Sequence, residues 1–335
     1  MSPFSFDITG VKVGVVIPCY RVADQIERVL RGIPDFVHSI IVVEDDGRDD
    51  TAARVRAFAD DRITLLTHSV NQGVGAAMRT GFAEALRRNL DIVVKMDGDD
   101  QMDPAALPRL LAPLLRGQAD MSKGNRYHNL VALRQMPPVR MVGNALLTFL
   151  VKLASGYWRM FDPTNGYLAI RTDVLRRLRL EKLPSRFFFE SGLLIQLGIL
   201  GAVVQDVPIS ARYGQGASSL SVGRTTLEFP PRLGWGLIRR LFWRYIVYDF
   251  SAVSVFLLLS IPLLVWGLWF GIGAWRRSVE TGTPATAGTV MLAAMPIIMG
   301  FQLLLEAVVV DIGNVPRIPL SPPLKAEERR VPDRA

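Results

Sequence analysis

The sequence predicts an α/β domain, built on a doubly wound parallel sheet with helices on both faces, followed by a hairpin of two membrane-spanning helices. Three observations predict it. Short apolar, β-branched runs alternate with segments of helical period from residue 11 to residue 115. The second and fourth of those runs end in adjacent carboxylates, which places two acidic clusters on one edge of one sheet. Charged residues thin out sharply after Asp249, leaving two uncharged segments long enough to cross a bilayer.

Residues 11–17 form the first buried strand, broken by Pro18-Cys19-Tyr20-Arg21. Residues 23–33 carry Ile26, Val29, Leu30 and Ile33 at helical spacing. Residues 39–43 are a second strand, ending in Glu44-Asp45-Asp46-Gly47, and Asp49 or Asp50 caps the helix that follows. Residues 63–67 are a third strand. Asn71-Gln72-Gly73-Val74-Gly75 is a turn before a helix over residues 76–89. The fourth strand, residues 92–94, runs into Asp97-Gly98-Asp99-Asp100-Gln101, and Pro104 opens the next helix, where a missing N–H is harmless. Residues 120–124 read as a strand and residues 134–155 as an amphipathic or core helix, too short and too charged at Lys152 to span a bilayer. Asp162-Pro163-Thr164-Asn165-Gly166 is a turn into a strand at 167–170. Residues 187–200 are an apolar helix interrupted by Glu190, which reads as a capping or core hydrogen-bonding residue. Residues 202–209 are a further strand, and a glycine-serine loop follows from Arg212 to Ser219. The first domain is therefore residues 1–229.

Beyond it, residues 230–249 interleave Trp235, Leu237, Ile238, Leu241, Phe242, Tyr245 and Ile246 with Arg239, Arg240 and Arg244, the composition of a helix lying in a membrane interface. Two spans fill residues 250–311, at about 250–275 and 286–308, and a polar tail occupies residues 312–335. Basic residues on both outer flanks favour a hairpin with the first domain and both termini in the cytoplasm.

The net charge is +8, which suits anionic lipid or a phosphorylated substrate, and no zinc-finger spacing, RNP motif or base-reading basic helix points to nucleic acid. The single cysteine, Cys19, excludes an intrachain disulfide and reads as a small buried apolar residue. His38, His68 and His128 form no triad with a Ser or Cys and read as structural. Residues 1–10 lack a basic-then-apolar signal pattern. Asp97, Asp99 and Gln101 offer three oxygen ligands to one hard cation, and Mg²⁺ held by one or two carboxylates together with substrate phosphates fits such a set. The alternative is an acidic strand-to-helix loop that only caps Pro104.

Val16-Ile17-Pro18-Cys19-Tyr20, Glu44-Asp45-Asp46-Gly47, Asn71-Gln72-Gly73-Val74-Gly75-Ala76-Ala77 and Asp97-Gly98-Asp99-Asp100-Gln101 follow in an order and spacing that resembles the inverting family 2 glycosyltransferases of GT-A fold. Within them the resemblance is closer to the dolichyl-phosphate mannose synthase and polyprenyl-phosphate glucosyltransferase group. Gly124-Asn125-Arg126, Asp162 to Gly166, and Arg212 with Ser218-Ser219 extend it, so that it covers about residues 11–220. It implies a Rossmann-like nucleotide-sugar domain, a donor of the GDP-mannose or UDP-glucose type, a dolichyl or undecaprenyl phosphate acceptor, a Mg²⁺ or Mn²⁺ cofactor and a bilayer partner, and it leaves room for an oligomer. Carried over by position, Pro18 and Tyr20 line the nucleotide pocket, and Asp45 or Asp46 contacts the base or ribose. Asp97, Gly98, Asp99 and Gln101 meet the metal and the donor diphosphate. Arg126, Arg140 and Asn144 meet the lipid phosphate, and Arg212 sits in a loop that closes on the diphosphate. Asp99, Arg126 and Arg212 are the residues implied at the reacting centre. The chain departs from the group's pattern at Arg21-Val22, where Asn-Glu is usual, at Gly98, where Ala is usual, and in the register of Glu44 to Arg48.

A phosphate acceptor is already ionised at neutral pH, so the implied reaction needs no strong general base. It needs a stabilised leaving diphosphate and an oriented acceptor, and arginine forks suit both. A processive polysaccharide synthase is the other enzyme reading, but the Gln-x-x-Arg-Trp motif of such enzymes is absent. A sugar-binding scaffold on an inactive transferase fold is the non-enzyme reading. Arg212→Ala is expected to slow transfer while changing donor affinity less, because a closing loop contributes mainly near the transition state. Nucleotide affinity by calorimetry beside the transfer rate checks this, and equal losses in both would refute it.

Overall fold

The computed structural model describes residues 8, 10–128, 138–209 and 222–324. The chain divides into two compact units, one of residues 1–238 with 316–335 and one of residues 239–315.

The first unit holds a seven-stranded sheet in the order β3-β2-β1-β4-β6-β5-β7. Its strands are β1 (Val13–Cys19), β2 (Ser39–Asp45), β3 (Ile63–His68), β4 (Ile92–Lys95), β5 (Met121–Asn125), β6 (Leu168–Arg171) and β7 (Val204–Pro208). Helices α1 (Ala23–Gly32), α2 (Thr51–Ala57), α3 (Val74–Arg87) and α4 (Leu107–Leu115) follow the first four strands, as the alternation predicts. Two apolar clusters fill the two faces: Val16, Phe82, Val93, Ile170 and Phe189 on one, Val15, Ile26, Ile40, Val94 and Leu110 on the other.

The sheet is not wholly parallel. β6 runs antiparallel to both β4 and β5, while β5 and β7 are parallel. The reason is the path of the chain. After β5 and α5 (Pro138–Ser155) it enters β6 at Leu168, opposite both Lys95 at the end of β4 and Lys123 in β5, and runs back between these two neighbours. Helix α6 (Phe189–Leu200) then returns the chain to β7, and α7 (Val222–Leu241) crosses the boundary between the units.

The segment beyond the spans belongs to the first unit. Asp120, fully buried, accepts bonds from the backbone N–H groups of Val203 (2.7 Å), Leu320 (3.0 Å) and Ser321 (3.1 Å). Three amide donors satisfy this buried carboxylate, as buried polar groups generally require.

The second unit contains a π-helical turn, Phe242–Tyr248, and two long apolar helices, α8 (Ala252–Thr281) and α9 (Ala287–Gly313), both long enough to span a bilayer. α8 runs on through Arg276 and Arg277, which sequence reading places in a loop, and stops at Gly282 in left-handed conformation. Asp311 is buried and takes a bidentate fork from Arg240 at 2.7 and 2.9 Å, with the Tyr245 hydroxyl donating at 2.5 Å. The π-helical segment is thus tied to the end of α9. Removing one partner leaves the other charge buried, which typically destabilises by about 3–5 kcal/mol. Asp311→Leu is therefore expected to lower the melting temperature in detergent, and Arg240→Met/Asp311→Leu to recover most of the loss. A double variant as unstable as the single one would show that the pair does more than cancel charge.

Candidate active site

The carboxyl edge of β1, β2, β4 and β5 gathers the residues singled out in the sequence. Five described non-glycine residues adopt positive φ, and four of them, Arg21, Asp46, Arg48 and Asp100, stand on loops at this edge. Backbone in that region is unfavourable for L-residues and concentrates where function dictates the loop shape.

On the β2 side the two adjacent aspartates separate. Asp45 is buried and its carboxylate is used by the protein: Gln72 N–H (2.9 Å) and His68 Nδ1 (2.7 Å) at Oδ1, and Gly73 N–H (2.7 Å) at Oδ2. It pins the Asn71 to Gly73 turn ahead of α3. Asp46 is half-exposed beside Arg48 (3.3 Å). Glu44 is buried and bonds the Gly47 N–H. Pro18 is buried in β1, and Tyr20 is exposed with the Arg21 guanidinium 5.1 Å from its ring centroid. Arg21 in turn donates to the Gly47 carbonyl (3.2 Å), joining the loops after β1 and β2.

On the β4 side Asp97 and Asp99 face the same space. Burial, and then the negative charge of Asp97, push the Asp99 carboxyl above the usual carboxylate range. The Gln101 side chain is exposed, and its N–H donates to Asp99 Oδ1 (3.1 Å). Gly98 packs on Cys19, where an added Cβ would stand 2.9 Å from Sγ, and the cysteine is buried as expected, its thiol pushed up by that burial.

Two lysines missed in the sequence lie beneath this edge. Lys95, at the end of β4, reaches Asp97 Oδ1 at 2.6 Å and Glu190 Oε1 at 3.3 Å, and its side chain is 1% exposed. Burial works against its charge, but Asp97 and Glu190 outweigh that and hold its pKa above the ordinary value. Glu190 is therefore an ion-pair partner, not a cap. Lys123 on β5 donates to the Asn165 carbonyl, and burial lowers it to about 8 against the pull of Glu190 and Asp162. The signal in the sequence was a single cation inside each of two buried strands.

The acceptor-side motifs meet through the antiparallel strand. Arg126 forks onto the buried Asp162, Nε to Oδ2 at 2.8 Å and Nη2 to Oδ1 at 3.2 Å, and keeps 42% of its side chain exposed. Asn165 Nδ2 donates to the Gly124 carbonyl (2.7 Å). Asp206 accepts from Phe161 N–H (2.6 Å), has a buried Oδ1 without a hydrogen-bond partner, and is pushed up to about 6 by burial. Asn144 is half-buried on α5, one turn from Arg140, of which only the backbone is described. Arg212, Ser218 and Ser219 lie outside the described residues.

The donor set fits a small hard cation. A positive charge there would favour the ionised form of Asp99. Among the described residues no group of three or more His, Cys, Asp or Glu side chains is placed to hold a metal ion.

Residues 14–179 match the profile described as Glycosyl transferase family 2. The polyprenol monophosphomannose synthase of Mycolicibacterium smegmatis is 32% identical over 242 residues, 68% of this chain and 88% of that protein. The chain belongs to glycosyl transferase family 2. The undecaprenyl-phosphate mannosyltransferase of Micrococcus luteus is 28% identical to this family member over 69% of the chain and 96% of its own length. Among solved structures, glucosyl-3-phosphoglycerate synthase from Mycobacterium tuberculosis, with Mn²⁺, UDP-glucose and phosphoglyceric acid, superposes with a TM-score of 0.52. It covers 70% of this chain and 80% of that one at 22% identity, a likeness of fold. The GT-A architecture expected of this glycosyltransferase is thus the one it has.

Asp206 gives a test of the acceptor side. Its folded value, about 6, lies above its ordinary 3.8, so the folded protein holds the extra proton and stability falls as pH rises through that window. Asp206→Asn removes that loss. Its melting temperature relative to the parent is expected to be more favourable at about pH 8 than at about pH 4.5. A pH-independent difference would contradict the burial of this carboxylate.

Proposed function

We propose that this glycosyltransferase is membrane-anchored and moves one hexosyl unit, with inversion, from a nucleotide sugar to a polyprenyl phosphate. The observation that carries it is the pairing, on one sheet edge, of an Asp97–Asp99 carboxylate pair with an arginine, Arg126, held outward by a buried aspartate. The names of the relatives, an undecaprenyl-phosphate mannosyltransferase and a polyprenol monophosphomannose synthase, support the acceptor class. The two apolar helices support the anchor.

In this reading Asp46, whose side chain remains half-exposed, meets the nucleoside, and Asp45 holds the turn before α3. Pro18 and Tyr20 flank the base. Asp97 and Asp99, with Gln101, hold Mg²⁺ or Mn²⁺, which supplies charge for the leaving diphosphate. Arg126 orients the acceptor phosphate, whose oxygen bonds to the anomeric carbon as the carbon–oxygen bond to the nucleoside diphosphate breaks. Arg140 and Asn144 extend that contact along α5, and Arg212 closes on the diphosphate. Val142, Leu146 and Phe149 form an exposed apolar stripe on α5, with Phe161 exposed beyond it, a surface suited to lipid.

The return of residues 316–324 to the catalytic unit supports a hairpin with both ends on one side, which we assign to the cytoplasm. Asp99→Asn is expected to reduce transfer about a hundredfold or more, and chelator to abolish it with recovery on Mn²⁺. Full activity of Asp99→Asn would remove the metal assignment. Ser278→Cys in a Cys19→Ser background should label from outside intact cells. Protection there, with labelling at the C-terminus, would reverse the orientation.

A further inference from the structure

Asp97 does not offer both oxygens to a ligand. Its Oδ1 is held at 2.6 Å by the Lys95 ammonium, which is sealed beneath it and braced from the other side by Glu190 Oε1 at 3.3 Å. Gly166, the last residue of the turn ahead of β6, closes over this pair. A Cβ added there would stand 2.5 Å from Lys95 Nζ and 2.9 Å from Asp97 Oδ2. The register fixes the arrangement, because Leu168 of β6 lies opposite both Lys95 and Lys123. Ammonium, carboxylate and glycine are therefore set by two neighbouring antiparallel strands, β4 and β6.

The electrostatic consequence is specific. Asp97 and Asp99 carry two negative charges, and Lys95 cancels one of them at contact distance within a poorly solvated site. A divalent cation approaching the protein alone meets the two carboxylates with a repelling ammonium in contact with one of them, Glu190 being the ammonium's second partner. A nucleoside diphosphate brings the negative charge the site lacks.

We propose that Lys95 is a positioning residue that makes divalent-cation binding conditional on the donor diphosphate. It holds Asp97 Oδ1 inward, cancels its charge and leaves Oδ2 as the outward ligand. Glu190 fixes the ammonium in place. The proposal rests on the reading of Asp97 and Asp99 as the cation-holding pair. Its use is to keep the free enzyme from trapping a cation without its donor, and to release cation and nucleoside diphosphate together after transfer.

The test is Mn²⁺ binding to the purified full chain, read by electron paramagnetic resonance with and without UDP or GDP. The parent protein is expected to bind Mn²⁺ at least about tenfold more tightly with the nucleotide present. Lys95→Met/Glu190→Gln removes opposite charges together, so no buried charge is left unpaired. It is expected to bind Mn²⁺ about tenfold more tightly than the parent in the absence of nucleotide, with the nucleotide effect reduced to match. The nucleotide dependence of Mn²⁺ affinity is read on the parent itself, so equal Mn²⁺ affinity with and without nucleotide overturns the proposal even where the double variant does not fold. Nucleotide-free affinity equal to the parent in the folded double variant, with Asp99→Asn abolishing binding, would overturn the role of Lys95 alone. Binding of Mn²⁺ by no form, with or without nucleotide, would overturn it together with the cation site.

Discussion

β6 runs against its neighbours, and the site depends on that reversal. It inserts the 162–166 turn between the ends of β4 and β5, where Asp162 meets Arg126, Asn165 meets Lys123 and Gly124, and Gly166 closes over Lys95 and Asp97. A parallel strand in the same place would put that turn at the opposite edge. Asp97 and Arg126 would then lose their common support.

The charges under this edge alternate in sign. Lys95 lies between Asp97 and Glu190, Lys123 feels Glu190 and Asp162, and Asp162 holds Arg126. Burying any of them alone would be prohibitive, and pairing makes burial tolerable without making it a large source of stability. What such pairing supplies is direction. Arg126 is forked onto a buried aspartate, and Asp97 is turned so that one oxygen meets Lys95. Preorganised charge of this kind costs no reorientation when the diphosphate leaves.

The same device recurs in the other unit, where Arg240 and Tyr245 converge on Asp311. There the surroundings are apolar helices with exposed Leu, Trp and Phe, and a carboxylate without a partner would be expensive. Asp120 plays a comparable part under the first unit, using three backbone amides to bind the chain that returns after α9. Each of these buried carboxylates joins segments far apart in sequence.

The sequence by itself determined the local elements and the acidic edge of the sheet. The period of its apolar residues set the four leading strand-helix units, and the ends of β2 and β4 marked the acidic edge. Two uncharged runs marked the spans, because composition alone decides whether a helix is tolerable in lipid. Asp97, Asp99 and Arg126 stood out in the sequence as charges at strand ends, and the structure places them after β4 and β5. The division of labour between Asp45 and Asp46 was not legible, since adjacent carboxylates look alike until one is seen to accept the amides of Gln72 and Gly73. Nor were Lys95, Lys123 and Asp311 assignable, or the tail's return to Asp120. Their roles depend on partners between 42 and 201 residues away for Lys123, Arg240–Asp311 and Asp120 alike. Only the tertiary structure decided these, because a buried charge is fixed by what it is paired with, and that pairing is a property of strand order and direction that no local pattern encodes.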